Sequence, residues 1–229
     1  MKLVISSSEL LKGILTVSKA IPAKSTEAIL EDYLFVLEGD KLEVTASDKE
    51  ITMKTVITVD CTEEEGRFAV PARQLNDLLK ELPDQPITIS TISENQFKCA
   101  WASGESTLPY FNPDDYPESQ TTGDDANVVE FPGQSLADGI GRTLYASSDE
   151  ENRPVMNSIF FDITPNSTTL VASDLQKLTC YTADDVKAEV PCSFILNKRH
   201  AAVLKSVIGK DVENVTIKFD SKVAIFSFD

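Results

Sequence analysis

The first residues, Lys2-Leu3-Val4-Ile5-Ser6, read as a strand, and the apolar spacing then changes to that of a helix. That helix runs from about Ser7 to Ala20, with Ser7 or Ser8 as N-cap and Leu10, Leu11, Ile14, Leu15 and Val17 on one face. Three strands are expected next, Ile29 to Glu38, Lys41 to Ser47 and Glu50 to Val59, separated by the turn formers Gly39-Asp40 and Asp48-Lys49. The order then begins again. A strand from Arg67 to Val70 meets Pro71 at a helix entry, and Leu75, Leu78, Leu79 and Leu82 follow at helical spacing. After Pro83 come strands at Ile87 to Ile92, Gln96 to Ala102 and Glu105 to Leu108. The first half of the chain is therefore two β-α-β-β-β units.

The same pattern returns at an offset of 126 residues. Leu10, Ile14, Ala46-Ser47-Asp48, Phe68, Arg73 and Leu78 meet Leu136, Ile140, Ala172-Ser173-Asp174, Phe194, Arg199 and Leu204. A period this long is a domain, not a solenoid repeat. Two tandem α+β domains are expected, residues 1–124 and 125–229. In register, Asp229 falls opposite Gly104 or a neighbour, so the second copy is expected to stop one strand short, as an N-terminal piece of a longer protein. Pseudo-symmetric copies build a continuous surface more readily than an active site, which needs different groups converging at one place.

Composition is that of a soluble globular protein, 41% hydrophobic and 25% charged. The chain shows no signal segment after Met1 and no apolar run of membrane-spanning length, so a cytoplasmic protein away from membranes is expected. Cys61, Cys99, Cys180 and Cys192 are scattered, which favours neither zinc nor a disulfide framework, and they are expected to be reduced and mostly buried.

Charge changes the picture. A net charge of −16 argues against nucleic acid, yet the expected helices hold Lys12, Lys19, Arg73, Lys80, Arg142, Lys198, Arg199 and Lys205 against only Glu9, Asp77, Glu81 and Asp138. Lys12 and Lys19, Arg73 and Lys80, and Lys198 and Lys205 are each seven residues apart, which puts each pair on one helical face. The expectation is one positive, helical surface in an otherwise acidic protein.

Catalytic chemistry finds little support. Asp48 and Asp174 are equivalent carboxylates in the two copies, but Lys49-Glu50 and Leu175-Gln176 follow them where aspartic proteases need a small residue and glycine, and Asp after a strand is a turn former. His200 is the only histidine and makes neither a triad nor a metal set with scattered cysteines. Gly139-Ile140-Gly141 lies inside an amphipathic helix and is no phosphate loop. No enzyme, cofactor or metal is expected. A protein-interaction scaffold whose basic helices merely cover a partner is the competing non-enzymatic reading.

Over its whole length the chain resembles the beta sliding clamp family, the beta subunit of bacterial DNA polymerase III. Carrying the resemblance are Met1-Lys2-Leu3-Val4-Ile5 with Glu9-Leu10-Leu11, Thr26 to Leu30 leading into Leu34, Leu42 to Asp48, Phe68 to Arg73, Leu108-Pro109 before Asp115-Tyr116-Pro117, Arg153 to Phe161, and Leu170 to Asp174. The resemblance implies a clamp fold with helices on a concave face and antiparallel sheets outside. It also implies a homodimeric ring of two three-domain chains around double-stranded DNA, held without sequence specificity, here in truncated form without the third domain. DNA-facing residues would be Lys12, Lys19, Lys24, Arg73, Lys80, Arg142, Arg153, Lys198, Arg199 and Lys205.

The resemblance further implies a cleft for short peptides of the polymerase III alpha subunit, the clamp loader and other proteins with a clamp-binding motif. Its wall here would be Met156, Ser173, Leu175, Gln176, Lys177 and Leu178, with Leu175, Gln176 and Lys177 standing where many clamps have glycine, histidine and arginine. The first-domain side of the dimer interface would be Gln74, Asp77, Lys80, Glu81, Glu105 and Leu108.

Overall fold

The computed structural model describes residues 1–229 and divides into two compact units, Met1–Ser119 and Gln120–Asp229. The division falls a few residues before the expected one.

In the first unit, β1 (Lys2–Ser6) leads into α1 (Ser7–Val17), which a short 3-10 turn extends through Ala20. The N-cap is Ser6, whose Oγ accepts from the Glu9 N–H, rather than Ser7 or Ser8. Ser7 is committed elsewhere: its N–H donates to the Gln85 carbonyl and its Oγ to that of Pro83, both 2.9 Å. A 3-10 turn over Ala28–Glu31 replaces the expected start of the next strand, because Leu30 buries its side chain there. Then follow β2 (Asp32–Glu38), β3 (Lys41–Ser47), β4 (Thr52–Thr58), β5 (Cys61–Glu64), β6 (Gly66–Pro71), α2 (Ala72–Glu81), β7 (Pro86–Ser93), β8 (Gln96–Trp101) and β9 (Gly104–Pro109).

The strands form two antiparallel sheets, ordered β5-β1-β7-β8-β9 and β4-β3-β2-β6. The two expected β-α-β-β-β halves therefore interlock. β1 pairs with β7 of the later half, and β6 pairs with β2 of the earlier one. Inward-facing Leu3, Ile5, Phe35, Val44, Phe68, Ile89 and Phe97 close one core with Leu10 and Ile14 of α1 and Leu75 and Leu79 of α2. Burying these side chains is the main stabilising term, roughly 1.5–3 kcal/mol for each large aliphatic or aromatic group.

The second unit repeats the plan with β10 (Asn127–Pro132), α3 (Gly133–Thr143), β11 (Ser158–Ile163), β12 (Thr168–Ser173), β13 (Leu178–Ala183), β14 (Cys192–Asn197), α4 (Lys198–Val207), β15 (Asn214–Phe219) and β16 (Ala224–Ser227). Its sheets are ordered β10-β15-β16 and β13-β12-β11-β14. The 126-residue offset holds down to pairing register: Phe35 lies opposite Phe68 as Phe161 lies opposite Phe194. Phe131, Phe161, Leu136, Ile140, Ala201, Leu204 and Phe219 build the second core.

Of the four cysteines only Cys99 is buried, which pushes its thiol up to about 11; Cys61 and Cys180 are exposed and Cys192 is half-buried. The expectation of mostly buried cysteines is therefore corrected. Cys61 and Cys180 sit on strands at the edges of their sheets with side chains turned outward. No helix is long and apolar enough to cross a membrane.

Candidate nucleic-acid and peptide interface

Each unit presents a pair of mutually packed helices, α1 with α2 and α3 with α4. On α1, Leu10, Ile14 and Val17 are buried while Lys12 is exposed, as is Lys19 on the following turn. Helical spacing alone produces this division, since residues three and four apart share a face. On α2, Ala72, Leu75 and Leu79 are buried, and Arg73, Gln74, Asp77, Lys80 and Glu81 all stand in solvent. Arg73 reaches toward Asp77 at 4.0 Å, a separation worth little in water. Glu105 is exposed on β9 and Leu108 is half-buried there.

In the second unit Arg142 and Lys205 both lie at α3. The Arg142 guanidinium lies 5.8 Å from the centre of the Tyr181 ring. The Lys205 side chain crosses α3 at Gly141, where a Cβ would come within 2.9 Å of its ammonium. Because that ammonium ends a flexible side chain, it could move aside for a Cβ at little cost. Arg199 is exposed at the start of α4.

Lys198 behaves differently from the other cations. It is half-buried, and its ammonium donates to the Asp149 carboxylate at 2.7 Å and to the Ser147 carbonyl at 3.0 Å. The side-chain hydrogen bond and the charge of Lys198 hold the Asp149 carboxyl below the usual carboxylate range. Arg153 is likewise engaged, with Glu150 at 3.2 Å, while Lys24 is exposed in a loop. Lys12, Lys80 and Lys205 stay in solvent outside the ion pairs that occupy Arg73, Arg153, Lys177 and Lys198.

The residues expected to wall a peptide cleft gather at one end of the sheet β13-β12-β11-β14. Ser173 closes β12 and pairs with Leu178 opening β13. Between them the turn is built by Asp174, whose Oδ1 accepts from the Gln176 and Lys177 N–H groups at 3.0 and 2.9 Å. Those backbone donors, with the Lys177 ammonium at 3.0 Å, pull its carboxyl down to about 2. Asp48 makes the same turn in the first unit, accepting from Glu50 and Ile51 at 3.0 and 2.7 Å. Both aspartates are spent on backbone amides, which is turn chemistry and not proton-sharing.

The residue after each aspartate, Lys49 and Leu175, adopts a left-handed φ of 76° and 75°. That region favours glycine, so Leu175 holds a strained conformation while exposing 67% of its surface. Leu178 is 66% exposed and Met156 half-buried. Neither is a plain core residue.

Two further residues at this end escape sequence reasoning. Tyr145, exposed, shares a 2.8 Å hydrogen bond with Thr179 on β13, and Val155 is exposed beside Met156. Beneath them Asn157 donates to the Ser148 carbonyl and accepts from the Asn197 amide at 2.8 Å, while Asn197 caps α4 through the Arg199 N–H. Only the consecutive apolar pair Val155-Met156 in an otherwise polar turn could have signalled this patch. No cluster of three or more His, Cys, Asp or Glu side chains is arranged to hold a metal ion.

Residues 1–120 match the protein family described as DNA polymerase III beta subunit, N-terminal domain. The beta sliding clamp of Halalkalibacterium halodurans is 29% identical over 187 residues, covering 78% of this chain and 48% of the relative. That of Synechococcus elongatus is 23% identical, covering 100% of this chain and 62% of the relative. Among solved structures, the beta subunit from DNA polymerase of Streptococcus pyogenes superposes with a TM-score of 0.94 at 20% identity, over 100% of this chain and 62% of that one. The chain thus spans roughly half to three-fifths of the length of these proteins.

Proposed function

The chain belongs to the family of DNA polymerase III beta subunits, and on that premise we propose that it serves as a non-catalytic processivity clamp on duplex DNA in the cytoplasm. The observation that carries the reading is the placement of charge. In a protein of net charge −16, the solvent faces of the helix pairs carry Lys12, Lys19, Arg73 and Lys80 in one unit and Arg142, Arg199 and Lys205 in the other. Contacts of these cations with phosphates would supply attraction without sequence reading. Weak, exchangeable contacts suit a protein that must slide.

Lys198 and Arg153, already paired with acids, contribute less to this surface than Lys12, Lys80 and Lys205. Lys24, exposed in a loop, would add to it. The ring would be completed as a homodimer of longer chains, with the exposed α2 residues Gln74, Asp77, Lys80 and Glu81 and the β9 residues Glu105 and Leu108 on the first unit's side of the junction.

The second role is tethering. Met156, Leu175 and Leu178 would accept aliphatic anchors of short peptides from the polymerase alpha subunit, the clamp loader and other proteins with a clamp-binding motif, while Ser173, Gln176 and Lys177 fix their orientation.

The test is binding of the chain to fluorescent linear duplexes of two unrelated sequences at several low salt concentrations. Binding is expected to be weak, equal for both sequences and steeply salt-dependent. Joint Lys12→Glu and Lys80→Glu substitution should lower the slope of log K against log salt by about 2, about one for each phosphate contact removed. A preference between the sequences, or binding indifferent to both substitutions, would remove the reading.

A further inference from the structure

On α3 an acid and a base stand one helical turn apart and do not pair. Asp138 and Arg142 are four residues apart with the acid nearer the N-terminus, the spacing and order that favour a helix ion pair. Arg73 and Asp77, in the less favourable order, do approach each other at 4.0 Å on α2, and Arg67 and Arg153 also reach carboxylates. Asp138 instead accepts from the Gln134 side-chain amide at 2.8 Å. Arg142 instead lies over the Tyr181 ring.

That ring is firmly seated. Tyr181 is opposite Leu170 in the register of β12 and β13, half-buried and packed on the second core. Its other neighbour is the bare backbone of α3 at Gly139, where a Cβ would come within 3.0 Å of a ring carbon and 2.9 Å of a Leu170 methyl. Arg142 follows Gly139 by three residues, a spacing that shares a helical face, so the helix delivers the guanidinium to the ring.

The first copy lacks all three parts of this arrangement. At the offset of 126 the counterparts of Asp138, Arg142 and Tyr181 are Lys12, Thr16 and Thr55, while Gly139 is matched by Gly13. In the first unit the position of the acid is itself a cation, and the Thr16 hydroxyl donates to the Lys12 carbonyl at 3.2 Å. Acid, arginine and aromatic ring occur together in one unit and are absent together from the other.

We propose that Tyr181 is a positioning residue that holds Arg142 off Asp138 and so keeps its guanidinium available to phosphate. The identity of the ligand rests on the duplex-binding reading; the arrangement of the three side chains does not. A guanidinium bonded to a carboxylate spends its N–H donors there, whereas one held through a ring face keeps them free for an anion. The balance is fine enough for one side chain to tip it. An exposed helix pair of this spacing is favoured about twofold, and a guanidinium over an exposed ring about two- to fivefold.

The experiment uses the full chain with Tyr181→Leu, Tyr181→Phe and Asp138→Asn, alone and combined. Without DNA, the Arg142 δ-methylene protons should be shifted upfield by the ring current in the wild type and in Tyr181→Phe, and the shift should vanish in Tyr181→Leu. In duplex titrations at low salt, Tyr181→Leu should weaken binding about two- to threefold, Tyr181→Phe should leave it unaltered, and Tyr181→Leu added to Asp138→Asn should cost nothing further. The proposal is overturned if the ring-current shift is missing, if Tyr181→Phe weakens binding as much as Tyr181→Leu, or if the cost of Tyr181→Leu persists in the Asp138→Asn background, which is what a purely structural role would give. Duplex binding indifferent to the joint Lys12→Glu and Lys80→Glu substitution would remove the clamp reading instead, and the ring-current comparison would then decide whether Tyr181 holds Arg142.

Discussion

Asp32 carries the clearest electrostatic liability in the first unit. It opens β2 with only 5% exposure, and burial, helped by the neighbouring charge of Glu31, raises its carboxyl from 3.8 to about 6. The folded protein therefore keeps a proton that the unfolded chain releases between about pH 4 and pH 6. Stability contributed by this group is full below the unfolded value, falls as pH rises through that window, and is flat above it. A shift of about two pH units is worth roughly 3 kcal/mol in total at about 1.4 kcal/mol per unit, of which about 2 kcal/mol separates pH 4 from pH 7.

The second unit shows a replacement that avoids the problem. Its counterpart Ser158 is equally buried and donates to the Pro154 carbonyl at 2.6 Å. Asp32→Ser is the corresponding change, and urea unfolding followed through Trp101, the only tryptophan and a residue packed on the first core, reports it selectively. The stability difference between variant and wild type should move in favour of the variant by about 2 kcal/mol on going from pH 4 to pH 7. Subtracting the two proteins cancels every other titrating group. A difference that stays constant across that range would refute the burial argument.

Three other substitutions probe packing and charge. Gly133 opens α3 where a Cβ would overlap the Val212 carbonyl oxygen, a backbone atom with little room to yield; Gly133→Ala should destabilise the second unit by roughly 1–3 kcal/mol, read from its thermal unfolding by circular dichroism. An unchanged midpoint would show that the approach of the two segments is looser than this geometry. Because the Lys198 ammonium is already held by Asp149 and the Ser147 carbonyl, Lys198→Gln should leave the salt slope of duplex binding nearly unchanged. Lys205→Gln should lower it by about 1 in the same titration, and an equal effect of the two would mean that the Asp149 pair opens on DNA.

Local patterns reached the sequence reader; long-range demands did not. The alternation in Thr52 to Thr58 and the leucine spacing of α2 announced their elements because each side chain's fate depends on its immediate neighbours. No strand is expected over Cys61–Glu64, yet it is an edge strand whose side chains need no core and whose backbone is paired by β1. Ile29-Leu30 looks like a strand start, but one buried leucine in a 3-10 turn satisfies the same pattern. The interlocking of the halves through β1 with β7 and β6 with β2 is a matter of partner choice, which period and propensity leave open.

The candidate interface divides in the same way. Lys12, Lys80 and Lys205 were legible as outward cations from helical spacing alone. The neutralising partner of Lys198 lies 49 residues away in sequence, beyond any local pattern. The strained φ of Leu175 follows from its place after a turn-building aspartate, a position it shares with Lys49 through the repeat. Tyr145 and Val155 gave no signal stronger than ordinary surface apolar residues, and only their position beside β13 and Met156 sets them apart.

The most direct test of the account is lysine-modification footprinting of the chain with and without duplex DNA at low salt. The helix-face reading predicts that Lys12, Lys80 and Lys205 become protected, while Lys54 and Lys98 on the sheets and Lys198 in its pair with Asp149 keep their reactivity. Protection centred on Lys54 and Lys98, with the helix lysines unaffected, would contradict it.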